Sequence, residues 1–412
     1  MTDYYCDLSA DTFADRTGLD NSANVLTGPA GLQAAIRGTG SATALTAGDT
    51  LYLKGAGDLS RLMLLDCDGT DVTGWDLNDQ VADDVTGGYW QGRIVETNVG
   101  GFLGADDMLL IWLDSGYSAI DVLVGDGINN ATKSVDAGLA AESAPGIVLD
   151  GNSGSSGSMI RFVGVNDSWT EDGTRATLDA DDQADCCMTN TETRYYLALA
   201  NLVLAGSAGN GFDVAAFYRY STHTNCIFEG AADDGIGGSS SPTYCGFDFC
   251  VFRENGSYGA DAISCNFFGC TFYDNDIGLY GLAACSADEC VFFENATGGC
   301  YLLTGSSASH CVMDANGYGV RVHTPGVSIY ASRITNNTTG VYGSAPGRDL
   351  YCFYSGNTAN FENDIHDADV RGESTRVTTG EIGYIDGDNV DLTLRNYGLT
   401  NDAAARRMEA LL

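Results

Sequence analysis

Apolar and polar positions follow one short sequence motif, here called the phrase, which is repeated in the second half of the chain. A small residue is followed by an apolar pair, two further residues and usually Asn. The seven copies begin at Cys226, Cys250, Cys270, Cys290, Cys311, Ser332 and Cys352, so successive copies start 24, 20, 20, 21, 21 and 20 residues apart. A fixed period of this length predicts a solenoid, in which each repeat stacks on its neighbours.

Each copy also predicts which side chains face inward. Side chains alternate along a strand, so the first and third positions of the phrase share a face. The first position is Cys in six copies and Ser in one, and the third is large and apolar: Phe228, Phe252, Phe272, Phe292, Met313, Ile334 and Tyr354. We predict that these two positions fill the core and that the second and fourth face outward.

Bends follow each copy. The Asn that ends the phrase is soon followed by Gly and a second apolar strand, as in Asn275–Tyr280. Asn and Gly tolerate the left-handed backbone of a sharp bend. The period of two and the frequent Gly and Asn exclude a helical repeat. We predict a parallel β-helix whose equivalent strands lie about 4.8 Å apart, with stacked Asn side chains that bond along the stack.

These repeats resemble the right-handed parallel β-helix (pectate-lyase-like) superfamily, which includes polysaccharide lyases, phage tailspikes and surface adhesins. Gly28–Arg37 followed by Ala47–Lys54 is similar to that family's capping helix and first strand, and Tyr4–Tyr5 to its opening strand. Met159–Gly164, Ala176–Asp179 and Tyr195–Leu204 are similar to its early coils. The resemblance implies an all-β solenoid, and the fold alone does not specify a function.

The patterns divide the chain into four regions. Residues 1–65 are expected to form the N-terminal cap and first coil, and residues 136–371 the β-helix, with regular coils over about 201–357. Residues 66–135 contain short alternating strands with Gly turns, which predict a small inserted antiparallel barrel or sandwich. Residues 372–412 are expected to form a C-terminal cap or a docking arm of strands and a last helix.

Charge narrows the classes of partner. The 412 residues include 56 acidic and 19 basic ones, a net charge of −37. Such a surface repels nucleic acid and anionic membranes, so we expect neither as a partner. The chain starts without a secretory signal pattern, so we expect cytosolic synthesis followed by residence in a virion or on an extracellular surface.

The fourteen cysteines fall mostly within the repeats, and a second row lies at Cys245, Cys265 and Cys285. No CxxC pair occurs, so zinc spacing is lacking. We expect reduced thiols that serve as small core residues, with disulfide bonds as the alternative.

Candidate chemistry lies on outward positions. Glu254, Asp274 and Glu294 precede the Asn in three successive copies, so their carboxylates would stack along one edge. Such a row could supply glycosidase carboxylates or bind calcium, or it could be a solvated acidic edge, and we expect no cofactor other than calcium. Further candidates for ligand binding are the acidic pair Asp233 and Asp234 and the aromatic residues Tyr273, Phe293, Tyr280 and Tyr301.

Three functional hypotheses follow. The first is a structural or adhesive virion component, such as a tailspike, head fibre or decoration protein, that binds a surface glycan or a neighbouring capsid or tail protein. The second is a polysaccharide lyase or glycoside hydrolase that acts through carboxylates on the β-helix face. The third is a secreted surface adhesin. The resemblance implies a homo-oligomer, with trimers known among phage members of the fold.

Overall fold

The computed structural model describes residues 2–10, 26–37, 44–67, 72, 75–76, 79–83, 90–97, 108–123, 128–129, 134–135, 141–149, 151–343, 348–350 and 352–362. The chain forms two compact units. Unit 1 comprises residues 1–233 and 238–240, and unit 2 comprises residues 234–237 and 241–412. Residues 372–412, the predicted cap or arm, lie outside the described residues.

Unit 1 contains one helix, two short 3-10 helices (Leu59–Arg61 and Ala119–Asp121) and 22 strands among its described residues. The elements are β1 Asp3–Asp7, β2 Leu26–Thr27, α1 Gly28–Arg37, β3 Thr50–Lys54, β4 Ala56–Asp58, β5 Leu62–Asp66, β6 Gln80–Asp83, β7 Gln91–Thr97, β8 Met108–Leu113, β9 Ile128–Asn129, β10 Ser134–Val135, β11 Ala141–Ser143, β12 Ile147–Val148, β13 Ile160–Gly164, β14 Ala176–Asp179, β15 Met188–Thr189, β16 Arg194–Tyr195, β17 Leu197–Ala200, β18 Leu202–Ala205, β19 Phe212–Asp213, β20 Tyr218–Arg219, β21 Thr222–Thr224 and β22 Ile227–Glu229.

Parallel pairing dominates unit 1. Its parallel sheets have the orders β2-β1-β3-β13-β17-β21, β4-β14-β18-β22, β12-β15-β19 and β16-β20. The predicted opening strand is present as β1, which pairs in parallel with β3. Helix α1 occupies the predicted residues, and Gln33 is fully buried in it. The Gln33 side chain is satisfied because it bonds both backbone groups of Val148, at 2.7 and 3.0 Å.

The predicted antiparallel insertion is also present. It is a seven-stranded sheet of order β10-β9-β6-β7-β8-β5-β11, whose described strands run from Leu62 to Ser143. Its strand β8 is apolar on both faces, because Leu109 to Leu113 are all buried. Arg61 lies at the start of this sheet, where its guanidinium donates to the Leu113 carbonyl and packs 4.5 Å from the Trp112 ring.

Unit 2 contains strands β23–β41. Their bounds are β23 Ile236–Gly237, β24 Gly246–Asp248, β25 Val251–Arg253, β26 Tyr258–Ile263, β27 Asn266–Phe268, β28 Thr271–Tyr273, β29 Ile277–Ala283, β30 Ser286–Asp288, β31 Val291–Phe293, β32 Gly298–Leu302, β33 Ser307–Ser309, β34 Val312–Asp314, β35 Tyr318–Val322, β36 Ser328–Tyr330, β37 Arg333–Thr335, β38 Thr339–Gly343, β39 Arg348–Leu350, β40 Phe353–Ser355 and β41 Ala359–Glu362.

Each of the six complete coils of unit 2, β24 to β41, contributes one strand to each of three parallel sheets, and β23 adds a seventh strand to one of them. Sheet I has the order β24-β27-β30-β33-β36-β39, and sheet II has the order β25-β28-β31-β34-β37-β40. Sheet III has the order β23-β26-β29-β32-β35-β38-β41. Equivalent residues stack in register, so Phe252, Phe272 and Phe292 form one column. The all-β parallel β-helix predicted from the repeats is therefore confirmed.

The core of unit 2 consists of stacked identical side chains. The rings of Phe252, Phe272 and Phe292 are fully buried and stack at 4.7 Å. The Asn side chains form the predicted ladder, in which each Nδ2 donates to the next Oδ1 at 2.8–3.0 Å, and its members are Asn255, Asn275, Asn295, Asn316, Asn337 and Asn357. Buried amides are satisfied along this ladder, which removes the cost of burying them.

All fourteen cysteines lie in the described part of the chain, and they are buried without forming a disulfide bond. Their burial agrees with the predicted role as small core residues, and the reduced state of the thiols stays a prediction. The outward second position differs from expectation in exposure, because Val251, Thr271 and Val291 are buried. These short side chains stack directly on one another and shield each other from water. Among the described residues, no helix is long and apolar enough to cross a membrane.

Candidate functional site

An outward row on sheet III brings polar and aromatic side chains together. The register places Asp261, Tyr280, Tyr301, Arg321 and Tyr342 at equivalent positions on successive coils. The residues before them in each strand are buried, so alternation turns this row outward. We call this row, together with the adjacent Tyr258, the tyrosine face.

The tyrosine face is a continuous series of ring contacts. Tyr258 stacks on Tyr280 at 4.7 Å with an interplanar angle of 14°, and Tyr280 meets Tyr301 edge to face at 4.9 Å. The Arg321 guanidinium lies 4.4 Å from the centre of the Tyr301 ring and 5.4 Å from that of Tyr342. Both distances permit cation–π attraction. No carboxylate of the described residues forms an ion pair with Arg321.

Asp261 stands at one end of this row in a dry environment. Its Oδ1 is buried without a hydrogen-bond partner among the described residues. The pKa of the Asp261 carboxyl is raised to about 7, mainly by burial and also by repulsion from Asp234, while a hydrogen bond with Ser241 opposes the rise. Desolvation disfavours the charged form of a carboxyl group. Asp261 therefore retains its proton to an unusually high pH.

Asp234 lies beside Asp261 in a different setting. Its Oδ1 accepts a hydrogen bond of 2.9 Å from the backbone N–H of Tyr258. Its Oδ2 occupies the space over Gly237, since a Cβ added to Gly237 would lie 2.2 Å from this oxygen. Ile236 is the register partner of Ala260, so the next residues, Gly237 and Asp261, are neighbours on adjacent strands. Asp234 thus fills the outward place that Gly237 leaves empty.

The tyrosine hydroxyls respond to the same charges. Burial raises the pKa of Tyr258, and Tyr280, Asp234, Asp261 and Asp276 raise it further. Burial also raises the pKa of Tyr280, with additions from Tyr301 and Asp261 and an opposing effect of Arg321. Perturbed ionisable groups that act on one another within one surface are typical of functional sites.

The structure brings three of the predicted ligand-binding residues together and separates the others. Tyr280, Tyr301 and Asp234 belong to the tyrosine face or border it. Tyr273 and Phe293 lie on sheet II, where they stack at 4.8 Å. Asp233 is exposed, and its N–H donates to the Gly209 carbonyl. The four predicted aromatic residues therefore belong to two surfaces.

The predicted acidic row occupies bends. Glu254, Asp274 and Glu294 are exposed and have left-handed φ values of 57°, 54° and 54°. The Glu254 and Glu294 N–H groups each donate to a carbonyl of the next coil at 3.2 Å. Within the described residues, no group of three or more His, Cys, Asp or Glu side chains is placed to hold a metal ion. The catalytic and calcium-binding roles of this row stay predictions without support from its geometry.

Tyr258, Asp261 and Arg321 were missed by sequence reasoning, although a signal was present. Aligning the second strand of each repeat, rather than the first, places Asp261, Tyr280, Tyr301, Arg321 and Tyr342 at steps of 19, 21, 20 and 21 residues. The spacing follows the coil period. The burial of Asp261 leaves no such signal, because it depends on the neighbouring coils.

No family model and no curated protein sequence matches the chain. Solved structures with similar folds include the A-module of mannuronan C-5 epimerase AlgE4 from Azotobacter vinelandii, with 13% identity, a TM-score of 0.48, and coverage of 88% of this chain and 92% of that one. Pectate lyase Pel9A shows 12% identity, a TM-score of 0.40 and coverage of 89% and 78%. The tailspike protein 2 active domain of bacteriophage CBA120 shows 10%, 0.37, and 71% and 54%. These likenesses concern the parallel β-helix fold alone.

Proposed function

We propose that the protein is a structural or adhesive β-helix protein whose tyrosine face binds an extended polysaccharide. The observation that supports this most is the continuous row of tyrosine rings flanking Arg321. Because the rings cover one another's faces, they present apolar edges and hydroxyl groups outward, a combination suited to the C–H and hydroxyl groups of sugars. Because the rings follow the coil spacing of about 4.8 Å, the face is long and regular, as a polymeric ligand requires.

Polar groups within the face would select the ligand. Binding sites combine apolar surface with a few placed polar groups that fix orientation. Arg321 offers a planar fork of donors that matches a carboxylate or a sulfate. Asp261 offers a carboxyl group that is protonated at mildly acidic pH and can donate to a sugar hydroxyl. The net charge of −37 opposes the approach of an acidic polymer, so such a ligand should bind better when salt screens the surface.

Binding to a panel of acidic and neutral polysaccharides tests this proposal. For a polysaccharide that binds, we expect Tyr280→Ala and Tyr301→Ala each to weaken affinity about tenfold or more, which is ~1.4 kcal/mol. Tyr330→Ala is the matched control, since Tyr330 is an exposed tyrosine of sheet I. Tyr273→Ala tests the rival surface on sheet II. Unchanged affinity in Tyr280→Ala and Tyr301→Ala, with a loss in Tyr273→Ala, would contradict the proposal.

The narrower proposal is that this adhesive protein is part of a virion, as a tailspike, head fibre or decoration protein. The partners are then neighbouring capsid or tail proteins, and the protein forms a homo-oligomer such as a trimer. Co-purification with particles and mass determination in solution test both points. A monomer that never associates with particles would contradict them and favour the alternative of a secreted surface adhesin, which shares the glycan-binding face.

An enzyme that cleaves polysaccharide is the second candidate. The observation that favours it is the half-buried Asp261 carboxyl, with its raised pKa, at the end of the tyrosine face. Release of reducing or unsaturated ends from a bound polysaccharide is the test. If alanine substitution of Glu254, Asp274 or Glu294 abolished cleavage, the acidic row would be the catalytic site instead.

A further inference from the structure

Two carboxyl groups meet at one end of the tyrosine face, and their surroundings differ. Asp234 accepts a backbone hydrogen bond from Tyr258, which stabilises its ionised form. Asp261 has an enclosed oxygen without a partner among the described residues, which favours its protonated form. Two titratable groups whose surroundings favour opposite protonation states are the usual sign of a catalytic acid and base.

The spacing of the pair follows from Gly237. The Asp234 Oδ2 lies over Gly237, where any side chain would collide with it. Gly237 and Asp261 are neighbours on adjacent strands, as the register of Ile236 with Ala260 requires. One strand spacing is about 4.8 Å. The Asp234 Oδ2 and the Cβ of Asp261 therefore lie about one strand spacing apart, which is compatible with the carboxyl separation of about 5 Å in retaining glycosidases.

A second observation points to the ligand. Tyr280 is the register partner of Asp261 on the next strand, and Tyr301 follows on the coil beyond. A sugar chain that lies along the outward edges of these rings would extend past the two carboxyl groups.

Unit 1 contains a second pair of neighbouring carboxyl groups, Asp185 and Asp213. Burial and repulsion from Asp213 raise the pKa of Asp185 too, but no stacked tyrosine row continues from that pair among the described residues.

We propose that Asp234 and Asp261 are the catalytic pair of a retaining glycoside hydrolase that acts on a polysaccharide held by Tyr280 and Tyr301. This inference rests on the proposed polysaccharide binding and adds a reaction to it. Asp261 is the acid and base, and Asp234 is the nucleophile through Oδ2. Tyr258 holds Asp234 in place through its backbone N–H and is a positioning residue.

The reaction balances without a redox partner. Asp261 gives its proton to the glycosidic oxygen as the bond from that oxygen to the anomeric carbon breaks. The Asp234 Oδ2 bonds to the anomeric carbon and forms a glycosyl ester. Water then loses a proton to the Asp261 carboxylate and attacks the anomeric carbon, which releases Asp234. One water molecule is consumed for each glycosidic bond, and the two inversions retain the anomeric configuration.

Isosteric variants test the pair in the full chain with a polysaccharide that the wild type binds. We expect Asp261→Asn and Asp234→Asn to reduce kcat by roughly 10²-fold to 10⁴-fold, in the range of general acid–base and nucleophilic contributions, and to change affinity much less than Tyr280→Ala and Tyr301→Ala do. Asp185→Asn is the matched control, because it replaces another carboxyl of raised pKa, and it should keep wild-type activity. NMR of the first product should show the retained anomer, and azide should rescue Asp234→Ala, whose shortened side chain leaves room for it, with a glycosyl azide of inverted configuration.

The outcomes separate this inference from the binding proposal. A polysaccharide that binds through Tyr280 and Tyr301 but is never cleaved overturns the catalytic pair and leaves binding intact. Inverted products, unsaturated products, or full activity in Asp234→Asn and Asp261→Asn also overturn it. Absence of any polysaccharide binding overturns both. Should Asp234→Asn misfold, Gly237→Ala gives a second test, since its Cβ displaces the Asp234 side chain and should lower kcat.

Discussion

Sheets II and III of unit 2 carry outward rows that look alike and differ in how their polar groups are satisfied. On sheet II, Arg253 donates to the Tyr273 hydroxyl at 2.8 Å. Asp314 on the same sheet accepts from Thr335 and Asn336. On sheet III, Arg321 has a ring at either side and no ion pair with any described residue, and Asp261 has an enclosed oxygen without a partner there.

The comparison separates a property of the fold from a sign of function. Stacked aromatic residues arise in any in-register β-helix, because equivalent positions lie one strand spacing apart. A row whose polar groups satisfy one another needs no ligand. Polar groups that the fold leaves unsatisfied lower the stability of the protein. A protein keeps such groups where a ligand or a reaction uses them.

The largest expected loss of stability comes from a substitution in the core, and a substitution in an outward row serves as its comparison. Phe272 is fully buried in the ring stack, and Tyr273, the next residue, faces outward. We expect Phe272→Ala to lower the free energy of unfolding by about 3–5 kcal/mol. Tyr273→Ala should cost about 1 kcal/mol, and urea denaturation measures both. Equal losses would show that the stacking on sheet II is as important to stability as the core.

The pH dependence of stability tests whether sheet III holds a buried carboxyl. The folded pKa of Asp261 is raised from 3.8 to about 7. Between these values the unfolded chain binds fewer protons, so stability falls as pH rises from about 4 to 7 and is level above. The fall amounts to roughly 4 kcal/mol at most. Asp261→Asn should remove this part of the fall, whereas Glu289→Gln, at an exposed bend, should keep it. Parallel pH profiles of wild type and Asp261→Asn would contradict the burial.

Breaking the Asn ladder should have the next largest effect. Asn295 accepts from Asn275 and donates to the Phe272 carbonyl and to Asn316. Asn295→Ala leaves several buried groups unsatisfied, so we expect a loss of about 3 kcal/mol. Asn336→Ala, at an exposed bend, is the control and should cost about 1 kcal/mol or less. Thermal or urea unfolding of both variants measures the two losses of stability. Similar losses in Asn295→Ala and Asn336→Ala would contradict a stabilising role of the ladder.

The smallest effect concerns the bends that carry the acidic row. A left-handed backbone costs most residues about 1–2 kcal/mol, and glycine avoids this cost while losing more entropy on folding. We expect Glu294→Gly to stabilise the protein by up to about 1 kcal/mol and Glu294→Val to destabilise it. Urea denaturation measures the difference. A loss of stability in Glu294→Gly would show that the carboxylate itself makes a structural contribution.

The fold could be predicted from the sequence because the same pattern of apolar and polar positions recurs in every repeat. Phe272 and Asn295 occupy repeated positions, so their stacking follows from the period alone. The bends at Glu254 and Glu294 were not predicted, because a left-handed conformation at acidic residues is imposed by the coil and not by local preference. The setting of Asp261 was also out of reach, since it depends on how Asp234 folds over Gly237.

Hydroxyl-radical footprinting of side chains, with and without a bound polysaccharide, tests the central claim most directly. The polysaccharide is chosen from the binding panel, and oxidation is read residue by residue. We predict protection of Tyr280, Tyr301 and Tyr342, with Tyr273 and Phe293 oxidised as in the unbound protein. Protection of Tyr273 and Phe293 with unchanged oxidation of Tyr280 and Tyr301 would contradict the account.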